Sequence, residues 1–457
     1  MEKRRGRVRD LTSEGFGVVA AEEGPVVLLP FVIEGEEVSY TVERRKRQMW
    51  YGQLVEVHEA SPHRVEPVCS VFGVCGGCRW QMMTYAHQLE VKRRFVEAQL
   101  RHIGGVTVEV PPVHPAPLPW QYRNKVEYAF GWGPAGEVVV GFHPRGDFRR
   151  VIAPEACQLV PPAFEEVRRL VQAQAQRLAL PPYDPQRHEG VWRELLVRGT
   201  QESYIVLVSL SQDRPDWAEA LLSPLQALAG FQGAGYFYNP KRNDSLFDLV
   251  PQRLWGSLEL VYEVAGRKFG VGPLDFFQVN LAQAEALVTW LKARVPETTV
   301  LYDLYGGVGF LGISVAERTK RLVLIEKLES AVERARENFA RNQHFYPETG
   351  FVGRAGALEK VWLGEEVPPD SVAIVDPPRE GLHPSFLKRL RETPFAHVFY
   401  VSCHPATQAR DIALLREVYE VQEVQPFDMF PQTTGIENVA WLRRRGLSYT
   451  ISCETYS

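Results

Sequence analysis

The feature that most restricts the fold of this chain is a series of strand and helix units that begins near residue 299. Thr299 to Leu304 is an apolar run of strand length, Gly306 to Gly312 is a glycine-rich turn, and Arg321-Leu322-Val323-Leu324-Ile325 is the next strand. Ser330 to Asn342 carries Ala331, Val332, Ala335 and Phe339 at helical spacing, which is the pattern of a helix with one buried face. Val372-Ala373-Ile374-Val375 and Val398-Phe399-Tyr400-Val401 are further strands with helical sequence between them. Repeated units of this kind bury their apolar faces as a mostly parallel, doubly wound sheet. Residues 266–457 are therefore expected to form an α/β, Rossmann-like domain, with ligands at the carboxyl ends of its strands.

The two preceding regions differ. Residues 1–62 read as short strands broken by glycines, among them Gly15-Phe16-Gly17-Val18-Val19 and Glu37-Val38-Ser39-Tyr40-Thr41-Val42, a spacing that suggests a small OB-like β-barrel. Residues 63–265 open on three cysteines and read as α+β. A helical stretch lies within about 80–110, Pro-rich links run from Pro111 to Pro119, and strands include Lys125 to Phe130 and Tyr204 to Val208. The expected architecture is multi-domain, with the stretch near 80–110 packing on the C-terminal domain. No apolar stretch is long enough to span a membrane, and Met1-Glu2-Lys3-Arg4-Arg5 leads into polar sequence without a signal-peptide core. A cytoplasmic monomer with no membrane partner is the expectation. The net charge of −4 does not mark a nucleic-acid-binding chain. Its basic residues nevertheless cluster at Lys3, Arg4, Arg5, Arg7 and Arg9, at Arg44 to Arg47, and at Lys92, Arg93 and Arg94. Such patches suit phosphate contact, or are simply a solvated face.

Four segments carry chemistry at strand ends. Asp303-Leu304-Tyr305-Gly306-Gly307-Val308-Gly309-Phe310-Leu311-Gly312 follows one strand, and Glu326 closes the next. Glycines allow close backbone approach to a ligand, and a carboxylate at the second strand end can accept from ribose hydroxyls. The spacing Gly307-x-Gly309-x-x-Gly312 also fits NAD. The leading Asp303 favours S-adenosylmethionine, whose cationic amino acid end it can face. Val375-Asp376-Pro377-Pro378-Arg379 holds Asp376 rigidly at a strand end, where it meets a base or is only a turn. Val401-Ser402-Cys403-His404-Pro405 places a cysteine before a helix. A cysteine is most often a small buried hydrophobe, but a helix N-terminus lowers a thiol pKa and makes Cys403 a plausible nucleophile. Glu437, ahead of Val439-Ala440-Trp441-Leu442, reads alone as a surface acid at a strand start and alternatively as a general base.

Cys69, Cys75 and Cys78 are spaced C-x5-C-x2-C, with Cys157 distant. Four thiolates suit zinc or an iron–sulfur cluster. Zinc sites usually use two short pairs and only one is present, which favours the cluster. The C-x3-C-x2-C spacing of radical S-adenosylmethionine enzymes is absent. Cys453 reads as structural or incidental.

Taken together, these motifs resemble the bacterial RNA uracil-5 methyltransferases, specifically the members that carry a TRAM barrel and a four-iron cluster and act on 23S rRNA. The resemblance covers essentially the whole chain. It implies an RNA-binding TRAM barrel at Gly6 to Val57 and a [4Fe-4S] cluster on Cys69, Cys75, Cys78 and Cys157. Tyr122-Arg123-Asn124-Lys125 resembles a segment near the RNA. Asp275-Phe276-Phe277-Gln278-Val279-Asn280 resembles the stretch that contacts the target uracil, with Phe276, Gln278 and Asp376 on the substrate. The S-adenosylmethionine site falls on Gln278, Asp303, Tyr305, Gly307, Gly309, Glu326 and Asp376. Cys403 matches the nucleophile that adds to C6, and Glu437 the base that removes the C5 proton. The implied substrate is a uridine in RNA, ribosomal in preference to transfer RNA. Alternatives are tRNA uracil-5 or RNA cytosine-5 methylation, a non-catalytic RNA-binding paralogue, and, from the glycine fingerprint alone, an NAD-dependent oxidoreductase. Four positions depart from the family pattern: Gly306 where cysteine is usual, His404 for asparagine, Gln432 for histidine, and Gly435 for histidine.

Overall fold

A computed structural model describes residues 2–19, 25–46, 49–362 and 366–446. Arg47 and Cys453 lie outside the described residues, as does the side chain of Lys46. Strands β1 (Lys3–Leu11), β2 (Phe16–Val19), β3 (Val26–Pro30), β4 (Glu37–Lys46) and β5 (Met49–Glu59) close a barrel in the order β1-β2-β3-β5-β4. Val8, Val19, Val27, Leu29, Val38 and Tyr40 fill it.

A six-stranded sheet follows, made of β6 (Lys125–Trp132), β7 (Val138–Gly141), β8 (Trp192–Gly199), β9 (Tyr204–Leu210), β10 (Phe231–Tyr238) and β11 (Gln252–Gly256). The helix Pro162–Leu178 lies on it through Phe164, Val167, Val171 and Ala175, one residue per turn on a single face. A hairpin of β12 (Leu260–Val264) and β13 (Arg267–Val271) turns at Ala265 and Gly266. Both have positive φ, 50° and 74°, which a two-residue turn matched to the strand twist demands.

The C-terminal sheet contains β14 (Thr298–Leu304), β15 (Thr319–Glu326), β16 (Gly350–Ala355), β17 (Val372–Val375), β18 (His397–Ser402), β19 (Tyr419–Phe427) and β20 (Glu437–Arg444), in the order β16-β15-β14-β17-β18-β20-β19. It is parallel except for β20, which runs antiparallel to β18 and β19. The strand order reverses between β14 and β17, so a crevice opens beyond their carboxyl ends. No helix among the described residues is long and apolar enough to cross a membrane.

The helix Tyr85–His102 belongs in sequence to the central region, yet Val96 and Leu100 share one apolar core with Tyr302, Val375, Tyr400 and Leu415 of the C-terminal sheet and its helices. Its Lys92 corrects the reading of a basic surface cluster. Lys92 is fully buried, and its Nζ donates to Asp428 Oδ1 at 2.6 Å. The apolar surroundings of that helix face admit a cation only because Asp428 meets it. Arg93 pairs with Glu90 and Glu97, and Arg94 with Glu34. On the barrel, Lys3 pairs with Glu56, Arg5 with Glu37 and Arg7 with Glu59. These pairs are solvent-exposed and weak. The barrel face is thus a zipped set of ion pairs and not a bare basic stripe.

Candidate active site at the sheet's switch point

Phe276, Phe277, Gln278, Asp303, Tyr305, Gly306, Gly307, Val308, Phe310, Leu311 and Asp376 line a narrow cleft at the reversal of strand order. The local chemistry of the turn explains its shape. Tyr305, Gly307 and Gly309 all have positive φ (62°, 53° and 84°). A Cβ on Gly307 would face open space within 4 Å, so its backbone is bare toward the cleft. Glu326 Oε2 accepts from Gly307 N–H at 3.2 Å and its Oε1 from Leu328 N–H at 3.1 Å, which fixes the carboxylate at the end of β15. Asp303 is fully buried. Its Oδ2 accepts from Gly312 N–H at 2.9 Å, and its Oδ1 has no partner. Burial, opposed by that N–H and reinforced by Asp376 and Glu326, pushes its carboxyl up to about 8. A buried oxygen without a donor invites a cationic or hydrogen-bonding partner from the cleft.

The loop bearing Gln278 is held from below. Asn124 Nδ2 donates to Gln278 O at 2.8 Å and Asn124 N–H to Val279 O at 3.0 Å. Fully buried Arg198 donates to the carbonyls of Gly272, Pro273 and Asp275. The Tyr122 to Lys125 segment therefore acts, in this structure, as a seat for the Gln278 loop. Phe276 stands two-thirds exposed at its rim.

Cys403 and Glu437 meet through strand register. Ser402 pairs with Asn438 in the antiparallel β18–β20 pair, which sets Cys403 opposite Glu437. Gln408 locks the arrangement, since its Nε2 donates to Tyr400 O and Asn438 O while its Oε1 accepts from Asn438 Nδ2. Asp376 begins one residue beyond the Val375–Tyr400 pair of the neighbouring strands. Burial pushes Asp376 up to about 7. Burial and then the charge of Asp376 push Glu437 well above the usual carboxylate range. Glu437 Oε1 has no partner. The expected lowering of the Cys403 thiol by its helix is overturned. Burial first, then Glu437 and Asp376, push it up to about 11, with Arg379 opposing. Desolvation and two facing carboxylates outweigh a helix end, whose influence fades within a turn.

The departures now have physical explanations. His404 is the N-cap of the helix Pro405–Leu415, and its Nδ1 accepts from Thr407 N–H at 3.4 Å. Burial, Arg379 and Arg410 lower its pKa, which favours the neutral ring that leaves Nδ1 free to accept. A Cβ on Gly306 would stand 2.8 Å from the Leu324 side chain and 3.0 Å from Asp303 Cγ, and one on Gly435 would stand 2.9 Å from Phe430. Glycine fits both neighbourhoods as packed. Gln432 is buried and hydrogen-bonded to Gln88. Sequence reasoning missed Gln88, Gln408 and Asn438, because a polar residue on a helix or strand carries no mark of burial.

Cys69, Cys75, Cys78 and Cys157 line a separate cavity of about 450 Å³, together with Gln81, Arg123, Phe142 and Pro154. None of the four is in a disulfide. Burial, with added repulsion from neighbouring cysteines, pushes Cys78 up to about 11 and Cys157 up to about 12. Among the described residues, no three His, Cys, Asp or Glu side chains are arranged to hold one metal ion. The cysteines thus share a cavity without forming a single-ion site.

Comparison with known proteins agrees with the crevice. Residues 369–445 match the family model described as tRNA (Uracil-5-)-methyltransferase. An uncharacterized RNA methyltransferase of Halalkalibacterium halodurans is 33% identical over 443 residues, 95% of each chain. Another, of Bacteroides thetaiotaomicron, is 32% identical over 95% of this chain and 100% of its own. The crystal structure of Pyrococcus abyssi tRNA (uracil-54, C5)-methyltransferase with S-adenosyl-L-homocysteine superposes with a TM-score of 0.78 at 27% identity, covering 96% of this chain and 99% of the other. NAD chemistry has no counterpart among these relatives. The chain belongs to the RNA uracil-5 methyltransferase family, enzymes that use S-adenosylmethionine to methylate RNA.

Proposed function

We propose that this enzyme methylates C5 of a uridine in 23S rRNA through a covalent adduct between Cys403 and C6 of the uracil. The observation that carries the reading is the register that sets Cys403 opposite Glu437, with Asp376 beside both. Uracil C5 is a weak nucleophile. Cys403 gives up its proton to solvent, and addition of the thiolate to C6 makes an enolate in which C5 carries nucleophilic character. Gln278 donates to the developing carbonyl charge, and Asp376 accepts the ring N–H. Asp303, Glu326 and the bare backbone at Gly307 would hold S-adenosylmethionine, which would supply an electrophilic methyl group and leave as S-adenosylhomocysteine. Glu437 then takes the C5 proton, and elimination frees Cys403. Phe276, exposed at the rim, is placed to stack on a flipped base, whose extrusion costs a few kcal/mol. The barrel, read as a TRAM module, grips flanking RNA.

The same reading gives Cys69, Cys75, Cys78 and Cys157 a [4Fe-4S] cluster. What supports this reading is that all four cysteines line one cavity and that none of them is in a disulfide. The cluster would tie residues 69–78 to Cys157 and brace the central region, and no step above needs redox chemistry. The three regions 1–62, 63–265 and 266–457 then serve as RNA grip, brace and catalyst.

Transfer RNA is the second reading for the substrate, favoured by the similarity to the P. abyssi enzyme. Nucleoside mass spectrometry with site mapping, on RNA from cells lacking the protein, decides between them. Loss of one 5-methyluridine from 23S rRNA is expected. Loss from tRNA selects the second reading, and loss of 5-methylcytidine overturns the choice of base. Cys403→Ala is expected to abolish transfer, and full activity in it refutes the adduct.

A further inference from the structure

The loop that delivers Glu437 to the cleft, residues 428–436 between β19 and β20, is held from outside its own sheet. Gln432 near its middle is buried and has φ +67°, a left-handed conformation that side-chain-bearing residues rarely adopt. Its carbonyl oxygen accepts from Arg79 N–H (3.0 Å) and Trp80 N–H (3.2 Å), the two residues that directly follow Cys78. Gln88 and Gln432 close a ring of amides. Gln88 Nε2 donates to Gln432 Oε1 (3.0 Å), and Gln432 N–H donates to Gln88 Oε1 (3.1 Å). The same Gln88 nitrogen donates to Trp80 O and Met83 O. Lys92 Nζ reaches Phe430 O, and the Tyr122 hydroxyl donates to Pro431 O.

We propose that Gln88 and Gln432 are positioning residues for Glu437, and that they make the placement of this carboxylate depend on the cysteine loop. The inference rests on Glu437 acting as the base, as proposed above. Little slack separates the joint from the carboxylate. Glu437 follows Gln432 by five residues, Thr433 Oγ1 bonds both Phe430 O and Gly435 N–H, and Gly435 packs on Phe430. Glu437 Oε1 has no partner of its own, so the backbone that carries Glu437 takes a large part in placing this oxygen. If Arg79 and Trp80 withdraw, the left-handed turn at Gln432 loses the bonds that hold it, and Glu437 moves with the loop.

Gln432→Met and Gln88→Met keep side-chain volume and remove the amide ring, and Cys78→Ser disturbs the cysteine loop at the residue next to Arg79. The first measurement is hydrogen exchange on the full-length protein, which needs no assumption about Glu437. Exchange in residues 428–438 should rise ~10-fold in all three variants, with β14 to β18 unchanged. The second uses total RNA from cells lacking the protein and labelled S-adenosylmethionine. A displaced base should lower kcat ~10-fold, leave KM for RNA unchanged, and leave methylated RNA attached to Cys403 as a denaturation-resistant band. Wild-type exchange in Gln432→Met overturns the joint, and so does a rise spread over the whole catalytic sheet. A local rise without a trapped adduct overturns the link to Glu437. If the wild-type enzyme itself transfers no methyl group, the functional reading fails, and exchange alone decides whether the cysteine loop holds residues 428–438.

Discussion

Alkylation of the free enzyme reads the electrostatics around Cys403. The thiolate is the species that reacts with iodoacetamide. Burial and the two facing carboxylates raise the thiol from its ordinary 9.0 to about 11. Below both values the thiolate fraction falls tenfold per unit, so Cys403 should react ~100-fold more slowly than an unperturbed thiol across about pH 7 to 9. Glu437→Gln removes one of the two charges and leaves burial, the larger cause, untouched. The midpoint should fall by ~1 unit, a ~10-fold gain in rate where Glu437 is ionised. The assay is the rate of modification of the Cys403-containing peptide, followed by mass spectrometry over a pH series, so the four cysteines of the other cavity do not interfere. A wild-type rate at or above that of a free thiol means that the Pro405 helix dominates and refutes the argument. A Glu437→Gln rate equal to wild type refutes the placement of Glu437 against the sulfur.

Two further outcomes follow from buried charges. Lys92→Met leaves Asp428 buried without its cation and should cost about 3–5 kcal/mol of unfolding free energy, read from the urea midpoint; Lys92→Met combined with Asp428→Leu should recover much of it, and an additive loss refutes the pairing. Burial pushes the Asp303 carboxyl up to about 8, so it should carry a proton near pH 7. A cationic amino group beside Oδ1 favours the carboxylate, so S-adenosylhomocysteine should release close to one proton at about pH 7 and bind more tightly as the pH rises toward 8, then level off. Calorimetry in buffers of different ionisation enthalpy measures this, and zero proton release would count against Asp303 as the ammonium partner.

What could be read without the fold is what local chemistry encodes. The strand and helix periods of residues 299–401, the glycine turn after β14 and the carboxylate closing β15 are written within windows of a few residues, because backbone sterics and side-chain spacing act over that range. Cys403 and Asp376 were legible as strand-end residues for the same reason. Their company was decided elsewhere. Cys403 faces Glu437 only because β20 inserts antiparallel between β18 and β19, and that register is a property of the assembled sheet. The sign of the Cys403 pKa shift followed, since burial and the carboxylates of Glu437 and Asp376 raise it once the sheet has brought them together. Lys92 looked like a solvated cation because nothing near it in sequence shows that Asp428, far along the chain, closes over it. His404 and Gln432 looked like damage to a motif until the helix cap and the amide ring gave each a partner. Periodicity and turn chemistry are local and survive in the sequence, whereas desolvation and pairing between distant segments exist only once packing has brought those segments together.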